Sequence, residues 1–141
     1  VVLIIWNEIH FYISHRLLHT PLLRRFHLLH HKSIRTSAWS TYSFHPIEAL
    51  MLGSVILLPA VCHDFSFAAL VFIPVWSILL NNLGHSNYAS VHPAWFHFLS
   101  RSSERHALHH THYHGNYGFF MPWLDRWCRT EIVPTDMTLK P

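Results

Sequence analysis

Charged residues are scarce in this chain. Lys, Arg, Asp and Glu make up 12% of its 141 residues, while hydrophobic residues make up 50%. Soluble domains carry about 25% charged residues. A surface with so little charge favours contact with lipid over contact with water on all sides.

Other absences exclude whole classes of function. The two cysteines, Cys62 and Cys128, are far apart and form no C-x-x-C pair, which argues against a disulfide framework and a cysteine zinc site. The chain lacks the G-x-G-x-x-G fingerprint of dinucleotide binding and the C-x-x-C-H motif of haem attachment. The net charge is only +3 and the basic residues form no run, so nucleic-acid binding is not expected.

The first segment is apolar. It reads "VVLIIWNEIHFYI", without a methionine or a basic leader, so it does not fit a signal peptide. It reads as the second half of a membrane helix, and we expect a fragment whose upstream membrane helices are absent. The helix continues into "SHRLLHT", and Pro21 is predicted to start a second helix. Residues 33–46 are predicted to form a loop with some extended backbone.

Two apolar runs follow, over residues 47–62 and 65–80. Each has 16 residues, slightly short of the roughly 20 that span a bilayer. The dipeptide His63-Asp64 between them predicts a helical hairpin, with kinks at Pro59 and Pro74. A buried hairpin in a soluble core is the alternative, because runs of this length are ambiguous.

Such a hairpin returns the chain to the side from which it left. The segments before and after it therefore meet at one membrane face. All of the arginines lie on these flanking segments, which predicts that this face is cytoplasmic.

Histidine is the one abundant polar residue, with 16 copies. Eight of them fall in three short boxes, "HRLLH", "HLLHH" and "HALHH". On a helix, the spacings i, i+3 and i+4 put side chains on one face, with Cβ atoms about 5–6 Å apart. The eight are His15, His19, His27, His30, His31, His106, His109 and His110.

Imidazoles directed at a common point suit a metal centre, because imidazole binds iron, zinc, copper and nickel. Eight ligands exceed the four of a structural zinc site, so we predict two metal ions of higher coordination number. His85, in "LGHSNY", is a ninth candidate, because it follows the second apolar run and returns to the same face. The remaining histidines lack box spacing and are not expected to be ligands: His10, His63, His92, His97, His112 and His114.

A few other polar residues could support the metal site. Asn81 either holds a metal-bound water or caps the end of its helix. Glu8 lies two turns before His15, and a carboxylate within a membrane segment usually has a function. Glu8, and likewise His45 and Glu48 in "FHPIE", could orient a ligand imidazole through its second nitrogen. A hydrogen-bonded cap or an interfacial charge is an equally good interpretation of these three.

The boxes and their surroundings resemble the fatty acid hydroxylase superfamily, which includes sterol desaturases, methylsterol monooxygenases and sphingolipid hydroxylases. The matching segments run from "HRLLHTPLLRRFHLLHHK" through "FHPIEAL" and "LGHSNY" to "RHALHHTHYHGNYG" and "LDRWCRT". They extend over nearly the whole chain. "HPIE" and "NYG" are more like the sterol and methylsterol branch than the carotenoid hydroxylases.

The resemblance implies a membrane-bound, oxygen-dependent oxidoreductase that hydroxylates or desaturates a sterol or fatty acyl (sphingolipid) C–H bond. It implies an all-α fold, an integral membrane helical bundle with a cytosolic histidine-rich helical cap, in which residues 1–141 form one catalytic domain. It also implies a di-iron centre with the eight box histidines as ligands and His85 as an addition, and no other catalytic residue. O2 is then the co-substrate, and zinc can replace the two iron ions in purified protein.

The resemblance also implies partners and a location. These are a lipid substrate, the membrane and an external electron donor, either a reductase or a cytochrome. The location is the endoplasmic reticulum in a eukaryote or the inner membrane in a bacterium, with the metal site facing the cytoplasm.

The tail departs from the family pattern W-D-R-x-F-G-T. Leu124 stands where the family has Trp, and Arg129 where it has Gly, while Asp125, Arg126 and Thr130 agree. A backbone that needs glycine at 129 is expected to have changed shape here.

Two rival functions remain open. A non-catalytic histidine-rich membrane protein could bind or transport zinc or nickel, although such sites usually use carboxylates or loose His-rich loops. A haem-binding membrane protein would use two axial histidines and leave most of the boxes unexplained.

Overall fold

The structure, a computed structural model, describes residues 1–86 and 97–133, and for residues 97–100 it describes the helix backbone alone. Over these ranges it is helical and contains no strand, which confirms the all-α class. The α-helices are α1 Val2–Leu18, α2 Arg24–His31, α3 Pro46–Gly53, α4 Leu57–Cys62, α5 Phe67–Gly84, α6 His97–His112 and α7 Trp123–Trp127. Helix α1 packs against α2, α3 and α5, and α5 packs against α6.

Helix α2 does not begin at the predicted proline. Pro21 lies in a turn, and the helix begins at Arg24. The reason is local, since the amides of Leu23 and Arg24 both donate to the carbonyl of Thr20 and close this turn first. The eight-residue α2 then carries the whole second histidine box.

The segment predicted as a loop with extended backbone contains a 3-10 helix, Ala38–Tyr42. A reciprocal cap starts it, because the amide of Ser37 donates to Ser40 Oγ at 3.0 Å and that hydroxyl donates back to the Ser37 carbonyl at 2.7 Å. Ser40 Oγ also lies 3.1 Å from Nδ1 of His85. The capped turn therefore packs against the end of α5.

The first apolar run is broken by a 3-10 turn, Ser54–Ile56, whereas α5 continues through Pro74. The break has its cause at Pro59, four residues after Val55. Because proline has no N–H, it cannot bond the carbonyl at i−4, and its ring crowds that carbonyl. The carbonyl of Val55 instead accepts from the indole Nε1 of Trp6 at 2.7 Å. The predicted effect of Pro59 is thus found one turn upstream of it.

Helix α5 is the one helix, among the residues described, whose length and composition would let it cross a membrane. Only 17% of its residues are buried within the chain, and Phe67 and Leu79 are 83% and 60% exposed. The interior is instead rich in polar side chains, including histidines, Glu48 and Asp125. Apolar residues outside and polar residues inside are the distribution expected of a chain in contact with lipid.

Candidate metal centre

Four elements bring all nine predicted histidines together: the C-terminal end of α1, helix α2, the end of α5 and helix α6. They form two groups, and within each group the candidate ligand nitrogens all lie within 4.8 Å of one another. The first group is His15, His19, His27, His31 and His109, and the second is His30, His85, His106 and His110.

Sequence neighbours are divided between the groups. His30 and His31 on α2 belong to different groups, and so do His109 and His110 on α6. Successive side chains on a helix diverge by about 100°, because a turn takes about 3.6 residues. Each of these two helices therefore supplies both groups.

The groups are buried and adjoin each other. Every member is buried except His19, which is half-buried. The ring centroids of His31 and His110 are 4.6 Å apart across the boundary. The arrangement is one continuous histidine cluster with two centres.

Backbone carbonyls and one carboxylate determine which ring nitrogen carries hydrogen. Nδ1 of His15 lies 3.0 Å from the carbonyl of Tyr117, and Nδ1 of His109 lies 2.7 Å from that of Gly115. A carbonyl oxygen can only accept, so in each ring Nδ1–H donates and the neutral ring keeps a lone pair on Nε2. Nδ1 of His27 donates likewise to Glu48 Oε1 at 2.6 Å.

These lone pairs face one another in the first group. The Nε2 atoms of His15 and His27 are 3.1 Å apart. The Nε2 atoms of His19, His31 and His109 form a triangle with sides of 3.0–3.2 Å. A hydrogen bond between two ring nitrogens needs one nitrogen that carries hydrogen and one that does not. Among three nitrogens at least two are alike, so at least one side of the triangle cannot be a hydrogen bond.

A cation at the centre would satisfy all of these lone pairs. With metal–nitrogen bonds of about 2.0–2.1 Å, adjacent nitrogens at right angles lie about 2.8–3.0 Å apart, close to the observed 3.0–3.2 Å. The second group has the same spacing, since Nε2 of His106 lies 2.8 Å from that of His85 and 3.1 Å from that of His110. The donor set therefore fits two metal ions, and the role of the nine histidines as ligands remains a prediction.

Burial keeps the imidazoles neutral. Burial, together with neighbouring histidines, lowers the pKa of His85 to about 3 and that of His110 to about 4, although a hydrogen bond to the backbone of Ser33 partly raises the pKa of His110. Metal binding requires the neutral imidazole. The cluster is thus in its ligating form near pH 7.

Of the three groups expected to orient a ligand, only Glu48 does so. Oε2 of Glu8 instead accepts from the backbone amides of Phe120 and Met121 at 3.1 and 3.0 Å. His45 caps α3 by accepting from the amide of Ile47. Of the two interpretations left open for Glu8 and His45, the structure thus shows the hydrogen-bonded one.

Asn81 lines a narrow cavity of about 10 Å³ together with His15, His27, His30 and His106. It lies in the last turn of α5, where its carbonyl accepts from the amide of the C-cap residue His85, so Asn81 is not the cap at the end of this helix. Its position beside both groups leaves the metal-bound water as a prediction.

Asp125 is a supporting residue for which the sequence predicted no role. It is fully buried and accepts from the amides of Tyr117 and Gly118 at 2.8 and 2.7 Å, and from the hydroxyl of Thr130 at 2.8 Å. It also pairs with Arg105 at 2.7 Å. These bonds hold the loop whose carbonyls orient His15 and His109. The agreement of Asp125 and Thr130 with the family tail was the signal that could have revealed this role.

The same loop depends on glycine at a close approach. A Cβ atom on Gly118 would lie 2.6 Å from Asp125 Oδ2 and 2.9 Å from the carbonyl of Met121. Only glycine leaves room for this carboxylate beside the backbone.

Arg129 corrects the expectation of an altered tail. Its φ is +56°, in the left-handed region that favours glycine. The amide of Thr130 donates to the carbonyl of Asp125 at 2.8 Å and holds this turn. The backbone thus keeps a glycine-like shape with an arginine in place.

The other histidines that can be described lie outside both groups. His10 bonds Ser54 Oγ at 3.0 Å, and His63, His112 and His114 are exposed. His92 and the side chain of His97 lie outside the described residues. Both cysteines are free, in agreement with the absence of a disulfide framework, and both are exposed.

Comparison with known proteins agrees with the histidine boxes. The family model described as Fatty acid hydroxylase matches residues 1–130. The chain is 34% identical to the very-long-chain aldehyde decarbonylase GL1-5 of Oryza sativa subsp. indica, over 84% of this chain and 21% of that protein. It is 28% identical to the Delta(7)-sterol 5(6)-desaturase of Leptosphaeria maculans, over 97% of this chain and 38% of that protein.

The chain thus spans between about a fifth and two fifths of the length of the curated relatives it matches. No solved structure shows a significant match. The match to the family model nevertheless extends over all three histidine boxes and the tail through Thr130. On this evidence, the chain belongs to the fatty acid hydroxylase family.

Proposed function

We propose that this chain forms the catalytic part of a membrane-bound, oxygen-dependent di-iron oxidoreductase that hydroxylates or desaturates a lipid C–H bond. The observation that carries the proposal is the convergence of nine histidines on two adjoining, buried centres. The Nε2 atoms of eight of them lie 2.8–3.2 Å from the Nε2 atom of another, a spacing that suits ligands of one metal ion.

When bound, two iron ions would supply the reduction of O2 and the removal of hydrogen from an unactivated C–H bond. The chain's own contribution is to hold the ligand rings. Glu48 and the carbonyls of Gly115 and Tyr117 keep hydrogen on Nδ1 and so leave Nε2 free for metal. Imidazole suits iron and zinc alike, and the desaturases among the relatives favour the redox metal.

The substrate class is inferred from two features. The relatives' names refer to sterols and very-long-chain aldehydes, which are both long apolar molecules. The exposed apolar surface of α5 supports a position in the bilayer. We infer a lipid substrate that enters from the membrane, with the histidine cluster at the cytoplasmic face of either the endoplasmic reticulum or the bacterial inner membrane.

We propose that electrons come from a reductase or cytochrome, since residues 1–141 show no dinucleotide fingerprint of their own. We propose that residues 1–141 act as one catalytic domain within a helical membrane bundle, whose histidine-rich part forms the cap.

Metal content tests the proposal. The protein that contains this chain would be purified in detergent from iron-supplied cells and its metal per chain measured by mass spectrometry. We expect about two ions, by analogy with two-metal sites, and a loss of both in the double variant His109→Ala, His110→Ala. His114→Ala is the matched control, because this exposed histidine follows the same helix outside both groups.

The identity of the metal separates the rival functions. Iron together with O2 consumption on addition of lipid supports the oxidoreductase. Stoichiometric zinc that iron reconstitution cannot turn into an O2-consuming protein would favour the metal-binding or transport alternative. Folded protein with no stoichiometric metal would overturn the proposal.

A further inference from the structure

A second, larger cavity lies between α1, α3 and α5. Its volume is about 210 Å³ and most of its lining is apolar. It adjoins the narrow cavity beside the histidines, because Phe11, Phe44, Leu52 and Asn81 line both. A molecule in the larger cavity would therefore reach the region of the metal centre.

One polar side chain that lines this cavity has a nitrogen without a hydrogen-bond partner in the described structure. Asn7 is 1% exposed, and its Oδ1 accepts from the hydroxyl of Ser77. Its Nδ2 is buried without a hydrogen-bond partner in the described structure. Buried polar groups are nearly always bonded, and polar residues within apolar helices usually have a function. Asn7 lines the cavity, and its amide thus has an unused donor within the cavity wall.

The distance from this donor to the metal centre follows from helix geometry. Asn7, Phe11 and His15 lie at i, i+4 and i+8 on α1 and therefore share one face. Eight residues correspond to about 12 Å along the helix axis. An atom held by Asn7 is therefore remote from the carbon that lies near the histidines.

The size of the cavity restricts how much of a ligand it holds. Pockets that enclose a whole small molecule measure about 300–1,000 Å³, so this cavity accommodates one portion of a longer molecule. Gly53 lies exposed at its rim, and a Cβ atom there would meet nothing within 4 Å. The rim is therefore open where a lipid could enter.

We infer that this cavity binds an elongated apolar lipid by an acceptor oxygen, a carbonyl, ether or hydroxyl, which the Nδ2 of Asn7 holds about 12 Å along α1 from His15. The inference rests on the proposed function for what happens at the histidines. It adds the substrate feature to be recognised, an oxygen remote from the reacting carbon, and makes Asn7 a specificity-determining residue.

The test compares two probes of equal shape. Saturable binding to the purified protein in lipid nanodiscs would be measured for dodecyl methyl ketone and for the alkene in which a methylene group replaces its carbonyl oxygen. One additional hydrogen bond predicts that the ketone binds about five- to tenfold more tightly. Equal affinities would overturn the role of Asn7, and absence of saturable binding would overturn the cavity as a lipid site.

Variants locate the effect. The double variant Asn7→Leu, Ser77→Ala removes the donor and its partner together, and should bind both probes equally. Ser77→Ala alone keeps the amide of Asn7 and should keep the preference for the ketone. A preference that survives in the double variant would overturn the inference.

The rim gives a second, independent pair of variants. Gly53→Phe should abolish ketone binding and Gly53→Ala should retain it, and ketone binding that persists with Phe would overturn the assignment. If the double variant does not fold, this pair still tests whether the ketone binds in this cavity. Metal content is measured on the same samples so that the two proposals can fail separately. A protein that prefers the ketone but binds no metal would contradict the proposed function and leave the role of Asn7 intact.

Discussion

His27 and Glu48, which are 21 residues apart, share a hydrogen bond of 2.6 Å between Nδ1 and Oε1. Both side chains are buried, with 4% and 1% exposed. The bond joins α2 to the start of α3 and directs Nε2 of His27 at that of His15. The carboxylate thereby sets both the orientation of the ring and the nitrogen that is left for metal.

Substitution of Glu48 should weaken metal binding without changing the ligands. We expect Glu48→Gln to lower metal affinity about tenfold and Glu48→Ala about a hundredfold, the range found for partners of ligand histidines. Competition with a chelator measures both. Glu131→Gln is the control, because this carboxylate pairs with the exposed Arg126 outside the cluster. Wild-type affinity in Glu48→Ala would contradict the prediction.

Single substitutions in the third box should separate the two centres. His109 belongs to the first group and His110 to the second. We expect each single alanine variant to lose about one of the two ions, because each removes a ligand from one centre only. Metal analysis of the two variants beside His112→Ala decides the question. Loss of both ions from each variant would indicate one cooperative site.

Asp125→Asn should destabilise the protein strongly. The change leaves Arg105, whose side chain is 14% exposed, without its charge partner. Breaking a buried pair in this way costs about 3–5 kcal/mol. Denaturant unfolding in detergent would show it, with Arg126→Gln as the control, because an exposed pair contributes about 1 kcal/mol or less. Similar losses in both variants would refute the assignment of Asp125.

Arg129→Gly should stabilise the protein slightly. Release from the left-handed backbone region gains about 1–2 kcal/mol, and the extra freedom of glycine in the unfolded chain costs about 0.5–1 kcal/mol. The expected net gain is therefore about 0.5–1 kcal/mol. Arg129→Val should show a loss in the same unfolding measurement, because a β-branched residue fits positive φ poorly. A less stable glycine variant would contradict this account of the turn.

The metal-free protein should lose stability in mild acid. Burial lowers the pKa of His85 to about 3 and that of His110 to about 4, against about 6.5 in the unfolded chain. The unfolded state therefore takes up protons first. The stability is present above about pH 6.5 and is lost as the pH falls towards 4. Unfolding curves of metal-free protein at a series of pH values test this, and a flat profile between pH 7 and 5 would contradict it.

The sequence alone determined those features that depend on local spacing. The histidine boxes fall on helices because their i, i+3 and i+4 spacing is a helical period, and the return of α5 brings His85 to the others as expected. The sequence also predicted a distortion of the helix at Pro59. Proline has no N–H, so the carbonyl four residues before it loses its helical hydrogen bond. The family membership follows from the same local motifs.

Tertiary structure alone decided how these pieces meet. The sequence treats Glu8 and Glu48 alike, but the packing of α3 against α2 brings Glu48 to His27, while Glu8 meets two amides from a loop more than a hundred residues away. The division of His109 and His110 between two centres also depends on which helix faces which. The same is true of the Asn7 Nδ2, which has no partner in the described structure. Such contacts are set by side chains distant in the sequence, and a local pattern contains no information about them.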